Sequence, residues 1–223
     1  MKTETLKKIF KILVIIILII IIGVIVHTVR NYIIVSNLEK KIDKYESSTN
    51  FYLKSISKQT DGKDMIFNYY KKDDKEVSII ERITNGNVLK LSYYKNGNEI
   101  EQFIDDTENN KKVLRKNNTG IFAPRIENCL ITENTFQKIL ACFCATIQET
   151  EFNGKKCYII NNFTSPSYLY SIGKNEFYLE KETGLILKKN TDFSIQTIEY
   201  EFDNIDDSIF IKPDTSEYKI EYN

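Results

Sequence analysis

The chain has 223 residues, and its 31 basic and 31 acidic side chains give a formal net charge of zero. Because a phosphate-binding surface needs a basic patch, this even balance argues against a nucleic-acid partner. Glycine (8 residues) and proline (3 residues) are sparse, so we expect one domain rather than long disordered linkers.

The first predicted element is an unbroken apolar run at residues 12–26, ILVIIILIIIIGVIV. With its flanks, residues 9–29, it would span roughly 31 Å as a helix at about 1.5 Å per residue. A bilayer core of about 30 Å needs this length, provided that Lys11 reaches back to the interface. We therefore predict a transmembrane signal anchor at residues 9–29.

Basic residues precede the apolar run and set its expected orientation. Four lysines oppose a single acidic residue there: Lys2, Lys7, Lys8 and Lys11 against Glu4. The positive-inside rule then predicts a cytoplasmic tail at residues 1–8, an anchor in the cell membrane and an extracytoplasmic remainder. The alternative, a cleaved signal peptide, fits less well because residues 26–30 (VHTVR) offer no small-x-small cleavage site.

An amphipathic helix is predicted at residues 30–48, continuing from the anchor. Val35, Leu38, Ile42 and Tyr45 recur there at helical spacing among charged residues. The segment is either a stalk that binds a partner or a first helix packed on a sheet, and we favour the second interpretation.

Alternating apolar and polar residues, separated by turn pairs, predict an antiparallel meander from residue 51 onward. The expected turns are Asp61-Gly62, Asp73-Asp74, Asn85-Gly86 and Asn96-Gly97. After residue 110 a short strand is expected at residues 111–115, and further strands at residues 157–161, 177–181 and 185–189. The last segment, residues 206–223, should lie along a sheet edge or across the sheet opening.

A second helix is predicted from an apolar stripe whose members are Phe136, Ile139, Leu140, Phe143 and Ile147. Thr132 or Asn134 would cap its start. On a helix Cys142 and Cys144 would point roughly 160° apart, whereas on a strand they would share a side. The sequence leaves both possibilities open.

Four cysteines lie in the second half of the chain: Cys129, Cys142, Cys144 and Cys157. An even number in an exported domain permits disulfides with three connectivities, and buried structural thiols are the alternative. The only histidine borders the apolar run, which excludes a mixed Cys/His zinc site in the domain. No metal or cofactor is therefore expected.

The recognisable catalytic signatures are missing from the sequence, including nucleophile elbows, zinc-protease motifs and phosphate loops. The paired carboxylates at residues 73–74, 105–106 and 206–207 fall at predicted turns, where aspartate is common for backbone reasons. We expect a protein that is not an enzyme.

Aromatic and aliphatic residues define one candidate face for an apolar ligand or a partner. Its members are Met65, Phe67, Tyr69, Leu89, Leu91, Tyr93, Phe136, Leu140 and Phe143. These residues form either an ordinary core between sheet and helix or an incompletely filled concave sheet. The second would accept an acyl chain or an apolar peptide segment.

The C-terminal third carries a family resemblance. The hairpin FYLEKETGL at residues 177–185 is followed by YEFDNIDDSIF at residues 200–210 and by Lys212-Pro213-Asp214. This order resembles the LolA-like (outer-membrane lipoprotein-sorting) superfamily, in which a Thr-Gly-Leu hairpin precedes a Y-x-F-x-x-(V/I)-x-D-x-x-F-x-x-P ending. The motif covers residues 175–215, and the rest agrees in pattern only. The superfamily includes lipoprotein carriers, periplasmic sensors and spore germination lipoproteins, and we expect the chain to lie near the last branch.

The resemblance implies an α+β fold that is mostly antiparallel β, a curved unclosed β-barrel with helices on its concave side. This LolA-like domain would occupy residues 49–223. The activities implied are non-enzymatic, namely carriage of acyl chains or lipoproteins, and protein scaffolding. Because an anchored chain cannot shuttle, we expect a tethered scaffold or sensor with a protein partner in the cell envelope, and lipid binding as the alternative.

Overall fold

The computed structural model describes residues 2–116, 126, 130, 134–163 and 176–222, with side chains from residue 7 onward. Its first element is one uninterrupted helix, α1 (Lys2–Glu46). An 18-residue apolar window in α1 has a mean hydropathy of 3.5 and is not buried inside the protein at all. The helix is therefore long and apolar enough to cross a membrane, and it is compatible with a single-pass anchor.

In the part of the chain that the structure describes, a second helix and twelve strands follow α1. The strands are β1 (Asn50–Gln59), β2 (Asp64–Lys72), β3 (Lys75–Thr84), β4 (Asn87–Asn96), β5 (Glu99–Asp106), β6 (Lys111–Lys116), β7 (Thr146–Phe152), β8 (Lys155–Asn161), β9 (Glu176–Glu180), β10 (Ile186–Asn190), β11 (Ser194–Phe202) and β12 (Lys219–Tyr222). The helix α2 (Thr135–Cys144) lies between β6 and β7, and a 3₁₀ helix (Asp207–Phe210) lies between β11 and β12.

The strands form one open sheet in the order β12-β6-β5-β4-β3-β2-β1-β11-β10-β9-β8-β7. Within the described residues every neighbouring pair is antiparallel except β12 and β6, which run parallel. A mostly antiparallel, open sheet was predicted, and the structure confirms it. The edge position predicted for the C-terminal segment is also confirmed, because β12 is an outer strand.

Turn chemistry sets the strand boundaries as predicted. Asp61-Gly62, Asp73-Asp74, Asn85-Gly86 and Asn96-Gly97 all lie at the junctions between consecutive strands of the meander. Asp73 and Asn85 take positive φ angles of 55° and 52°, a conformation that Asx side chains tolerate better than most.

One face of the sheet, called the inner face, packs against the two helices. Its main core contains Leu53, Phe67 and Tyr69 from the sheet together with Leu38 and Ile42 from α1. The final turns of α1 are therefore a helix packed on the sheet, the interpretation favoured from the sequence. A smaller core on the opposite, outer face joins Val77, Tyr94, Phe103 and Leu114 to residues of the 3₁₀ helix.

The helix α2 differs from its prediction in two ways. It ends at Cys144, so Ile147 belongs to β7 rather than to the helix. Its stripe also faces away from the sheet, because Phe136 and Phe143 are exposed and the buried residues are Ala141 and Cys142. Small side chains at these two positions allow close approach to α1, and the larger apolar ones are left outside. The cap is Asn134, whose side-chain oxygen accepts a hydrogen bond from the Gln137 amide, while Thr132 lies outside the described residues.

Candidate functional site

The first feature of the candidate site is the contact between α1 and the end of α2. The Asn31 side chain is fully buried, and its Nδ2 donates to the carbonyl oxygens of Cys142 (3.0 Å) and Ala145 (2.8 Å). The last carbonyls of a helix have no partner within the helix, so Asn31 supplies from α1 the donors that the end of α2 lacks. Its own Oδ1 is buried and has no hydrogen-bond partner among the described residues.

Residues next to Asn31 add to this contact. His27 Nε2 lies 3.0 Å from the Ala145 carbonyl oxygen, and Arg30 Nη1 donates to the Ile147 carbonyl at 3.4 Å. Further along α1, Glu39 pairs with Lys138 of α2. The Lys138 ammonium also lies 5.0 Å from the centre of the Tyr32 ring. The helix α2 is thus fixed to the part of α1 that directly follows the apolar run.

The second feature is the turn between β9 and β10, which carries the Thr-Gly-Leu sequence of the motif. The Lys41 ammonium donates to the Lys181 carbonyl, and Thr183 Oγ1 donates to Glu180 at 2.6 Å. Gly184 has a φ of +79° and lies directly under α1. A Cβ atom there would come within 2.7 Å of the Leu38 carbonyl oxygen and 2.8 Å of Ile42 Cγ1. The helix α1 therefore packs directly on this turn. Glycine is required at position 184 both by the positive φ and by this close approach.

The strand residues of the predicted apolar face lie together on the inner face. The register aligns Met65 with Arg82 and Leu89, Phe67 with Ile80 and Leu91, and Tyr69 with Ser78 and Tyr93. Phe67 and Tyr69 are buried in the main core, whereas Met65, Leu89, Leu91 and Tyr93 are half-buried. The helical members do not join them, because Phe136 and Phe143 are exposed on the far side of α2 and only Leu140 is half-buried.

A network of polar side chains lies on the inner face beside these aligned apolar residues. The Tyr69 hydroxyl donates to Glu76 at 2.8 Å, and Lys95 pairs with the other oxygen of Glu76 at 2.7 Å. Burial alone would raise the pKa of Glu76. The hydrogen bonds from Lys95 and Tyr69 outweigh it and hold the pKa of this carboxyl below its usual range. Burial and the bond to Glu76 raise the pKa of Tyr69 in turn, which keeps its hydroxyl a donor.

This network predicts that the stability of the fold depends on pH. A carboxyl whose pKa is lowered by folding stabilises the fold above its unfolded pKa of about 4.3, and that contribution is lost as the pH falls through the folded value. We expect Glu76→Gln to lower the free energy of unfolding by about 1–3 kcal/mol at pH 7, because two hydrogen bonds to a charged acceptor are weakened. The difference from the unmodified chain should shrink as the pH is lowered below about 4. Chemical denaturation of the full chain in detergent at both pH values measures it.

Glu81→Gln in the same strand is the matched control for Glu76→Gln. Glu81 pairs with Lys90 at 3.7 Å with both side chains partly exposed, and such pairs contribute about 0–1 kcal/mol. A Glu76→Gln effect no larger than the Glu81→Gln effect would contradict the role assigned to the network.

The three described cysteines are free thiols, and Cys129 lies outside the described residues. Cys142 and Cys157 are buried, and burial raises the pKa of the Cys142 thiol to about 11. Cys144 is exposed, so the two residues of the C-x-C pair do point apart as a helix requires. A disulfide that involves Cys129 stays a prediction.

Sequence reasoning missed Asn31, Gly184 and Glu76 as structural determinants. Gly184 lay inside the motif, but nothing in the sequence indicated that α1 passes over it. Asn31 and Glu76 are each a polar residue within a segment that becomes buried, and their partners are distant in sequence or on another strand. No local signal marked either residue, because Glu76 follows Asp73, Asp74 and Lys75 and Asn31 follows Arg30.

The chain matches no model of a protein family and no curated protein sequence. Among solved structures it is similar to an uncharacterized conserved protein from Thermus thermophilus, with 10% identity over 84% of this chain and 98% of that chain and a TM-score of 0.43. It is also similar to a chain in the Pseudomonas aeruginosa MucA/MucB complex, with 10% identity over 78% of this chain and 60% of that chain and a TM-score of 0.41. A DUF1329 family protein from Desulfovibrio piger has 12% identity over 83% of this chain and 97% of that chain, with a TM-score of 0.31. Scores this low carry no argument about fold or function, and the LolA-like resemblance stays a prediction.

Proposed function

We propose that the chain is a membrane-anchored, non-enzymatic module of the cell envelope that binds a protein partner as a scaffold or sensor. Its N-terminus lies in the cytoplasm, residues 9–29 cross the cell membrane, and the sheet lies outside the membrane. The proposal keeps the LolA-like fold as the prediction for the sheet.

One observation carries the proposal: the exposed apolar span and the core of the sheet share a single helix. The apolar window of α1 is unburied, whereas Val35, Leu38 and Ile42 of the same helix are fully buried in the main core. An uninterrupted helix leaves no flexible linker between the span and the domain. The sheet is then held at a fixed distance from the bilayer, which suits a stationary binder rather than a shuttling carrier.

The filling of the inner face favours a protein partner over an enclosed lipid. Phe67 and Tyr69, the centre of the predicted ligand face, are buried beneath α1. An acyl chain bound at this position would have to displace Leu38 and Ile42 from the core. Large-to-small changes at such buried positions cost about 2–5 kcal/mol, so this displacement is unfavourable.

The topology is tested with reporters fused to the C-terminus of the full chain in bacterial cells. Alkaline phosphatase, which is active only outside the cytoplasm, should be active there, and a green fluorescent protein fusion should be dark. The reverse pattern would overturn the proposed localisation. For the partner, crosslinking in intact cells should enrich an envelope protein relative to residues 1–48 fused to an unrelated domain. Failure to enrich any protein over this control would contradict the scaffold role.

Lipid binding is the second candidate, and the half-buried inner-face residues favour it. Met65, Leu89, Leu91 and Tyr93 lie beyond the region that α1 covers most closely. If they hold an acyl chain, native mass spectrometry of the full chain should show bound lipid that Leu91→Asp removes. Val88→Asp on the outer face of the same strand should leave the lipid in place. Absence of bound lipid from the unmodified full chain would eliminate lipid binding as a function.

A further inference from the structure

The helix α2 presents an apolar surface that the rest of the described protein leaves uncovered. Phe136 is 74% exposed, Ile139 45% and Phe143 49%. The only charged residue of α2, Lys138, is turned toward Glu39 and the Tyr32 ring of α1. The side of α2 that faces away from α1 therefore carries no charged side chain.

The contacts of α2 place this surface next to the end of the apolar span. Its C-terminal carbonyls accept hydrogen bonds from Asn31 and lie beside His27. Lys138, near the start of α2, pairs with Glu39, which lies further along α1 from the apolar span. The helix α2 therefore runs antiparallel to α1, and its C-terminal end lies nearest the apolar span. Phe143 lies at the level where residues 9–29 leave the hydrocarbon core, and Phe136 lies about 10 Å further out at 1.5 Å per residue. The head-group layer is about 5–8 Å thick on each side of the bilayer, so Phe143 and Ile139 fall within its depth.

A third exposed aromatic residue lies on the sheet itself, at the end nearest the apolar span. The strand β7 begins at Thr146, directly after the Ala145 carbonyl that contacts α1, and Thr146 pairs with Asn161 of β8. The register continues from Asn161 to Glu176 of β9 and on to Asn190 of β10. The turn after Asn190 carries Phe193, which is 77% exposed. Phe193 therefore projects from the end of the sheet that faces the span.

We propose that Ile139 and Phe143 of α2 and Phe193 of the β10–β11 turn form a membrane-facing surface that inserts into the head-group layer of the outer leaflet, and that Phe136 lies at the outer edge of this surface. The occupant is a lipid surface because the exposed apolar residues of α2 lie beside the end of the apolar span of α1, and the side of α2 that faces away from α1 carries no charged side chain. Aromatic side chains are enriched at this depth, and short amphipathic segments bind there through their apolar face. The proposal rests on the proposed function, since it requires α1 to cross the membrane. It adds a second attachment, which restricts rotation and tilt of the domain about α1.

The chain contains no tryptophan, so a single introduced tryptophan reports its own environment without background. The full chain is placed in phosphatidylcholine nanodiscs with or without brominated acyl chains, as the variants Phe143→Trp, Phe136→Trp and Phe193→Trp. Ile211→Trp is the matched control, because Ile211 is 73% exposed and follows the 3₁₀ helix, whose Asp207 pairs with Lys72 at the opposite end of the sheet. Val26→Trp, inside the span, reports whether α1 has inserted.

We expect brominated lipid to reduce the emission of Phe143→Trp and Phe193→Trp well below that of Ile211→Trp, with a smaller loss for Phe136→Trp. Iodide in the buffer should quench Ile211→Trp most strongly. If Val26→Trp is quenched by brominated lipid and Phe143→Trp is not, the membrane-facing surface is overturned while the anchor stands. Protection of Phe143→Trp from both quenchers would indicate a protein cover, such as a second copy, and would also overturn it. An unquenched Val26→Trp would overturn the proposed anchor together with this inference.

Discussion

Replacing Gly184 by alanine is expected to lower the free energy of unfolding by about 2–5 kcal/mol. A side chain at a φ of +79° costs about 1–2 kcal/mol in an L-residue. The added Cβ would lie 2.7 Å from the Leu38 carbonyl oxygen and 2.8 Å from Ile42 Cγ1, and forcing an extra carbon into a packed core costs about 1–3 kcal/mol more. The closest contact is with backbone, which cannot rotate away as a side-chain end can.

Gly154→Ala separates the two contributions to the Gly184→Ala effect. Gly154 occupies the β7–β8 turn with a φ of +76°, and a Cβ atom there meets nothing within 4 Å. The Gly154→Ala variant should lose about 1–2 kcal/mol of its free energy of unfolding, through its backbone conformation alone. Denaturation of the full-length chain in detergent gives both values. Equal losses at the two glycines would show that α1 does not rest on the β9–β10 turn.

The Gly184 contact gives the sequence motif a physical meaning for this chain. The turn contacts the Lys41 ammonium and the backbone of Leu38, so the motif determines where α1 meets the sheet. If the contact between α1 and the β9–β10 turn were weakened, the sheet could move relative to α1. The Gly184→Ala variant should therefore also loosen the packing of α1 on the β9–β10 turn.

Local chemistry made much of the fold predictable. Period-two alternation assigned Met65, Phe67 and Tyr69 to one face, and Asn-Gly and Asp-Gly pairs separated the strands, because both signals act over a few residues. The 3.6-residue period likewise predicted that Val35, Leu38 and Ile42 share one side of a helix. These patterns depend on backbone geometry, which the structure reproduces.

The parts that could not be predicted depend on which elements meet. The stripe of α2 has helical spacing, but periodicity does not state whether a stripe faces a core or an external surface. Here the small residues Ala141 and Cys142 pack inward and Phe143 points out. Asn31 lies 111 residues from Cys142, and no local signal connects the two. The candidate site arises largely from such long-range contacts. The predicted face therefore divided into a sheet part that is buried or half-buried and a helical part in which Phe136 and Phe143 are exposed.

The Asn31 contact leads to the second large effect, in the variant Asn31→Asp. This change keeps the side-chain shape but replaces the Nδ2 donor by a carboxylate oxygen that faces the Cys142 and Ala145 carbonyls at about 3 Å. Breaking a buried polar pair so that a charge is left uncompensated costs about 3–5 kcal/mol. Because α2 is short, the chain can relieve this repulsion by releasing the helix, so the loss should appear first as faster hydrogen exchange across Thr135–Cys144. Lowering the pH should restore the protection of these amides relative to their intrinsic exchange rates at each pH, since protonation of the new carboxyl restores a donor.

Asn37→Asp is the matched control for Asn31→Asp, because Asn37 is exposed on the same helix and the change adds the same charge. This variant should leave α2 protected from exchange. Equal exchange of α2 in the two variants at neutral pH would contradict the role of Asn31. Selective release of α2 in Asn31→Asp would show that one buried amide on α1 holds α2 in place.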